Sequence, residues 1–347
     1  MKAVDWPRVW PALLVATLAA QLATWVHLPL PWMLGPLFAT ALGRMCGWAV
    51  TVLPGSRQGG QWVIGTAIGL CFTPAVLAEL LAHGWVVLGA ALSAIAFGWV
   101  AARAMQRWGQ ASPATAFFAG LPGGASEMVV LAQGQGAATD RIAAAHALRV
   151  LLVVGVVPFV LHHGPAGPAT VPLVAPLPVN WVGFPAVLAL SLLGVWVFDR
   201  CRIANAWILG PLAFVGVLTM SGHVWSGLPS GLVNAGQLCL GVALGARFSP
   251  TFFSAAPRFM ALSAVATGLM LLLSAALALV LSLATGMPKA ALWLAAAPGG
   301  MAEMGITARE LGLSVPLVTA AHVVRVVLVT GLAPVLCRWY LQRYDRA

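Results

Sequence analysis

Two stretches of this chain say nearly the same thing. LPGGASEM occupies positions 121–128 and APGGMAEM occupies 297–304. Seven of sixteen positions match when 119–134 is set against 295–310. Three further pairs keep the same spacing to within one residue. PWMLGPL (31–37) returns as AWILGPL (206–212), GQWVIGTAIGLCFTP (60–74) as GQLCLGVALGARFSP (236–250), and HALRVLLVVGVVP (146–158) as HVVRVVLVTGLAP (322–334). A common offset across so much of the chain is the signature of internal duplication. Whatever this chain folds into must be built twice.

The medium in which it folds follows from composition. Of 347 residues, 61% are hydrophobic and 7% charged. A water-soluble protein of this length needs many more charges to cover its surface. Apolar segments fall at about 9–26, 32–50, 60–82, 84–102, 114–134 and 142–161, and again at about 181–198, 206–222, 232–252, 259–285, 290–308 and 315–337. Most are long enough to cross a hydrocarbon core of about 30 Å. The formal net charge of +10 comes from residues scattered singly in short loops and at the ends. That pattern fits positive-inside topology and excludes a nucleic-acid surface, which would need a basic tract.

Six segments per half raise a question of topology. If all six span, the halves lie parallel. If the PGG segment only dips in and out, each half crosses five times and the second is inverted. Loop charges favour inversion. With the N-terminus inside, Arg44, Arg57, Arg103, Arg107, Arg200, Arg202, Arg247, Arg258, Arg338 and Arg343 all fall inside. The Pro-rich loop 162–180, with no Lys or Arg, falls outside; Lys289 and Arg309 are exceptions. The expected fold is thus an all-α integral membrane protein of two inverted-topology repeats, with about ten spans plus one re-entrant or broken helix per repeat. Residues 1–161 form the first repeat, 162–180 the external loop and 181–347 the second repeat. The expected location is the bacterial inner membrane, multi-pass, with both termini cytoplasmic.

The candidate site lies at the duplicated motifs. Pro122 and Pro298 each remove a backbone donor, and Gly123, Gly124, Gly299 and Gly300 favour unwinding. Broken backbone at membrane depth must be satisfied by protein or a water-lined cavity. Glu127 and Glu303 are the two acidic residues within apolar segments. His146 and Arg149 make an HxxR pair on one helical face, and His322 with Arg325 repeats it. A charge at the bilayer centre costs about 2.5–3.5 kcal/mol, so four of them must pair, hydrate or line a cavity. Two readings follow and are not exclusive. Glu127–Arg149 and Glu303–Arg325, or the crossed pairs, are buried ion pairs that fix the fold. Alternatively the motifs form a midplane site, where half-helix N-termini attract an anion, arginine forks a carboxylate, and glutamate or histidine carries a coupling proton.

Other features point to packing. GTAIG (65–69) and GVALG (241–245) read as close helix-contact faces. The five cysteines show no metal spacing and read as small buried hydrophobes. His162 and His163 read as a solvated loop pair, and no metal or cofactor is expected. Tryptophans near span ends, such as Trp6, Trp10, Trp181 and Trp339, read as interfacial anchors.

The paired PGGxxEM motifs, paired WxLGP segments and paired HxxR spans resemble the AbrB-type duplicated bacterial membrane proteins, over about residues 10–337. Members are often labelled regulators of gene expression or ammonia monooxygenases. The resemblance implies a fold similar to cation/proton antiporters and anion transporters, with inverted repeats and interrupted helices. The expected function is a secondary transporter of a small, anionic organic solute coupled to H+ or Na+. The alternative is a membrane protein acting indirectly on gene expression, without transport. An enzyme is not expected, because the seven histidines are scattered apart from the loop pair and offer no copper cluster. Expected partners are the lipid bilayer, a solute and a coupling ion, with no nucleic acid; a homodimer is left open.

Overall fold

A computed structural model describes residues 6–49, 52–164, 177–252, 254 and 256–344. Most of the Pro-rich loop, together with Lys2, Asp5, Asp345 and Arg346, lies outside the described residues. The described residues form helices joined by short turns, with no strand among them. The first half supplies α1 (Trp6–Trp25), α2 (Pro31–Met45), α3 (Ser56–Gly69), α4 (Pro74–Ala82), α5 (Gly84–Gly109), α6 (Pro113–Gly120), α7 (Ala125–Gln133) and α8 (Thr139–His163). The second supplies α9 (Phe184–Arg200), α10 (Ala206–Met220), α11 (Ser230–Gly245), α12 (Pro257–Thr285), α13 (Lys289–Ala296), α14 (Met301–Glu310) and α15 (Val315–Tyr344). Among the described residues, α5, α8, α12 and α15 are long and apolar enough to cross a membrane.

The segment expected at 60–82 is two helices. α3 ends at Gly69 and α4 begins at Pro74, where proline has no N–H to continue the ladder. The cysteines are less uniform than expected. Cys71 and Cys337 are buried, but Cys46 and Cys201 follow the last turns of α2 and α9 and are exposed.

The chain divides into two compact units, and each draws on both halves. One comprises residues 1–82, 162–250 and 305–316; the other comprises 83–161, 251–304 and 317–347. The duplication therefore interleaves within each unit.

In the first unit, α1 packs on α2 and α9 on α10, while α2 packs on α11 and α10 on α3. These contacts are reciprocal down to single residues. A Cβ on Gly65 would lie 2.6 Å from the Ile208 carbonyl oxygen, and one on Gly241 would collide with that of Met33. Gly35 and Gly210, from the WxLGP motifs, press in the same way on the backbones of Ala19 and Gly194. GTAIG and GVALG are thus helix-contact faces, where the missing side chain lets backbones approach. The residues that open α2 and α10, Leu30 and Asn205, are another matched pair. Both adopt left-handed backbone, φ 51° and 57°, which costs a non-glycine residue about 1–2 kcal/mol. The duplication thus preserves a strained turn as well as a sequence.

In the second unit α5 and α12 run antiparallel. Gly109, at the end of α5, faces Phe259 and Leu262, and Ala101 packs with Ala266 and Met270 further along α12. Arg258 Nε donates to the Trp108 carbonyl at 2.7 Å. The end of α15 arrives at the same place. Gln106 donates to the Tyr344 carbonyl at 3.2 Å, and Arg103 stacks 3.8 Å over the Tyr344 ring. The segment from α6 to α7 is a hairpin. Ser112 caps α6 through Thr115 N, with Pro113 at the first helical position. The chain then returns after α7 so that Ala138 N donates to Thr115 Oγ1 at 2.9 Å.

Candidate functional site

The two PGG segments are breaks between half-helices. α6 ends at Gly120 and α7 starts at Ala125; α13 ends at Ala296 and α14 starts at Met301. The backbone turns extended at the matched positions Leu121 (ψ 129°) and Ala297 (ψ 142°). Half-helices of eight to ten residues rise only about 12–15 Å. The first break lies against Gly98, near the middle of α5: a Cβ there would meet Pro122 at 2.9 Å and Leu121 at 3.0 Å. The duplicated site residues Pro122 to Glu127, His146, Arg149, Pro298 to Glu303, His322 and Arg325 all belong to the second unit. Arg149 and Arg325 stand near enough to repel each other.

Each glycine of the motif makes room for a later residue of the same motif. A Cβ on Gly123 would strike the Met128 side chain, its Cγ and Sδ at 3.0 Å, and one on Gly299 would strike Met304 Sδ at 2.8 Å. A Cβ on Gly124 would coincide with the Glu127 carboxylate, and one on Gly300 with that of Glu303. Gly124 is the N-cap of α7, and Glu127 is its third helical residue. A glutamate there reaches back over the cap, toward the unpaired N–H groups and positive end of the helix. Glu303 holds the same place in α14. P-G-G-x-x-E-M is therefore one spatial unit: the proline and glycines open the helix, and the glutamate and methionine fold back into the opening.

The arginines serve the other side of each break. Arg149 Nη1 donates to the Leu121 carbonyl at 2.9 Å, and Nη2 donates to those of Gly120, at 3.0 Å, and Ala119. Arg325 Nη1 donates to the Ala297 carbonyl at 2.7 Å, and Nη2 to that of Gly299. A helix that stops leaves its last carbonyls without partners, and the guanidinium forks supply them. At about 1.5–3 kcal/mol per charged hydrogen bond, these contacts offset much of the burial cost of the charge. The sequence suggested a fork open to a carboxylate; the terminal nitrogens are instead engaged by the chain's own backbone. Only Nε of each arginine is left without a hydrogen bond. Glu303 acts on Arg325 electrostatically.

The histidines break the symmetry. His146 Nε2 lies 3.0 Å from the Phe118 carbonyl, on the last turn of α6. His322 instead turns Nδ1 to the Val318 carbonyl of its own helix, at 2.8 Å, and its buried Nε2 has no hydrogen-bond partner. The repeats also differ in burial. Glu303 is buried and Glu127 half-buried. Sequence reasoning missed Met128 and Met304 as part of the site, although the motif repeats them. It also missed Thr319, buried without a partner one turn before His322. Its counterpart is Ala143, so no repetition could draw attention to it. No group of three metal-ligating side chains occurs among the described residues.

The family model described as Transition state regulatory protein AbrB matches residues 32–341. A Bacillus subtilis (strain 168) protein named "Uncharacterized protein YhjN" is 26% identical over 336 residues, covering 87% of this chain and 85% of its own. An Escherichia coli (strain K12) protein named "Putative regulator AbrB" is 24% identical over 328 residues, covering 90% and 91%. No solved structure matches the chain.

Proposed function

Because the chain belongs to the family described as Transition state regulatory protein AbrB, and because its two PGG breaks lie in one compact unit, we propose that it is a secondary transporter. It would carry a small anionic organic solute across the bacterial inner membrane, coupled to H+ or Na+. The observation that carries this reading is the helix start at each PGG break, covered by a glutamate, half-buried in the first repeat and buried in the second. A helix N-terminus in such surroundings is a seat for an anion. In the resting protein the glutamate is that anion. Protonation of the glutamate releases the seat, and the solute's carboxylate takes it, which couples solute to H+ without any further group.

The inverted, ten-span arrangement is supported by two observations. The repeat-related helices α5 and α12 run antiparallel, and the α6–α7 hairpin returns to its own start. A re-entrant hairpin in each half gives the odd number of crossings that inverts the second half.

The test is a panel of small carboxylates screened by thermal stabilisation across pH, followed by flux in proteoliposomes. Ligands that bind only the folded protein raise its melting temperature. A saturable hit whose flux is lost in Glu127→Gln or Glu303→Gln, with insertion intact, supports the reading. Normal coupled flux in both variants sinks the glutamate mechanism.

A second reading draws on the family description and on the regulator name of the Escherichia coli relative: an indirect effect on gene expression, without transport. A transcriptional reporter that changes on deletion of the gene, and is restored equally by wild type and both glutamate variants, favours it.

A further inference from the structure

We infer that His322 Nε2, with the Thr319 hydroxyl on the same helical face, forms a site for a group that donates a hydrogen bond to Nε2, and that this site exists in the second repeat only. Both side chains are fully buried, and neither Thr319 Oγ1 nor His322 Nε2 has a hydrogen-bond partner. They stand three residues apart on α15, and so on one helical face.

The tautomer of His322 follows from its one partner. A carbonyl can only accept, so Nδ1, 2.8 Å from Val318 O, carries the proton. In the neutral ring Nε2 is then a bare, buried lone pair. His146 is held the other way round, with Nε2 donating to Phe118 O. Two histidines at equivalent positions of a duplicated sequence thus turn different ring nitrogens, Nε2 of His146 and Nδ1 of His322, to a backbone carbonyl. Thr319 is unusual as well. A helical threonine often bonds the carbonyl one turn back, as Thr66 does with Trp62 O at 2.8 Å; Thr319 does not.

The charges around this face select the occupant. Arg325 lies one turn from His322 and acts on it directly; it also acts on Arg149, and Glu303 acts on Arg325. A cation at Nε2 would meet Arg325 in an apolar span. A metal would lack a third ligand among the described residues. A bare anion could accept from the Thr319 hydroxyl but has no proton to give the Nε2 lone pair. The group that fits is an uncharged O–H or N–H: water in the resting protein, and a hydroxyl, amide or protonated acid of the solute when loaded. An unsatisfied buried acceptor rejects a partner that lacks the donor far more strongly than an apolar pocket rejects a misfit. If the transporter reading holds, on which this last step rests, the solute carries a donor beside its carboxylate and the two repeats contribute differently to its recognition.

The test needs no flux. The full chain is labelled with 15N-histidine, placed in lipid nanodiscs, and assigned with His146→Gln and His322→Gln. The expected spectrum has neutral His322 protonated at Nδ1 and His146 protonated at Nε2. Magnetisation starting on water protons reaches His322 Nε2, and Thr319→Val, which keeps the shape, loses that transfer without moving the His146 signals. A neutral His322 protonated at Nε2, a charged His322, or water transfer indifferent to Thr319→Val overturns the proposal. If His322→Gln does not fold, Thr319→Val still assigns the affected resonance. The signature in a protein that moves no solute would leave the site standing and remove transport; flux without the signature would do the reverse.

Discussion

Arg149 donates to the carbonyl of Leu121 at 2.9 Å across 28 residues of sequence, and the duplicated pair Arg325 and Ala297 makes the same bond at 2.7 Å. The chain writes a helix break and, in the helix after the second half-helix, the cation that satisfies it. An arginine in an apolar span is here a cap for a helix that ends in the wrong medium for water to cap it.

Arg149→Leu would strand three buried carbonyls. At about 1–3 kcal/mol for each unsatisfied group, the expected loss is about 3–5 kcal/mol. Arg149→Lys keeps the charge but not the planar fork, and is expected to lose about half as much. Unfolding in mild detergent measures both. Leucine and lysine variants within about 0.5 kcal/mol of wild type would mean the forks do not hold the break.

The motif glycines are predicted to be coupled to the residues that fill their space. Gly124→Ala places a Cβ on the Glu127 carboxylate, and a cost of about 1–3 kcal/mol is expected for such overpacking. In the double variant with Glu127→Ala the clash disappears, so the two changes should be non-additive by at least about 0.5 kcal/mol. Simple additivity in a double-mutant cycle would show that the carboxylate does not lie over the cap.

Helix contact, not glycine flexibility, is predicted to set the tolerance of the other glycines. Gly65→Val drives a side chain into the Ile208 backbone and should destabilise by about 1–3 kcal/mol. At Gly268, within α12, a Cβ would find no neighbouring atom within 4 Å. Gly268→Ala should therefore be neutral or stabilise by up to about 1 kcal/mol, the helical preference of alanine. Melting temperatures of the two variants moving together would contradict this.

Topology is predicted to be readable by labelling. In a cysteine-free background, single cysteines replacing the exposed Arg107, Arg258 and Arg338 should react with an impermeant maleimide from one face of the membrane, and Lys289→Cys from the other. The first two arginines flank the contact between α5 and the start of α12. Labelling of Arg107→Cys and Arg258→Cys from opposite faces would rule out the ten-span inverted arrangement.

Much of the candidate site is legible in the order of residues alone. PGGxxEM marks both breaks to the residue, because proline without an N–H and glycine without a side chain act locally wherever they occur. HxxR marks the companion helix, because charges in apolar segments stand out against their neighbours. The partner of each polar group is not legible in that way. The sequence points Arg149 and Arg325 toward glutamates or a solute carboxylate, yet their terminal nitrogens face backbone carbonyls, which every residue has and which therefore leave no mark in a sequence. Thr319 is invisible for a different reason: it departs from the duplication, and repetition is what makes its neighbours stand out.

The sequence by itself determined that this chain is duplicated, apolar enough for a membrane, and broken at two matched places, because hydropathy, repetition and helix breaking are written in the order of residues. Only the tertiary structure decided that each compact unit interleaves the two halves, that each glutamate folds onto its own N-cap glycine, and that His146 turns Nε2 but His322 turns Nδ1 to a backbone carbonyl. Those choices depend on which donor reaches which acceptor across 26–30 residues of chain. In an apolar interior an unmet polar group costs about as much as a bond provides, so packing geometry, not residue type, settles who pairs with whom.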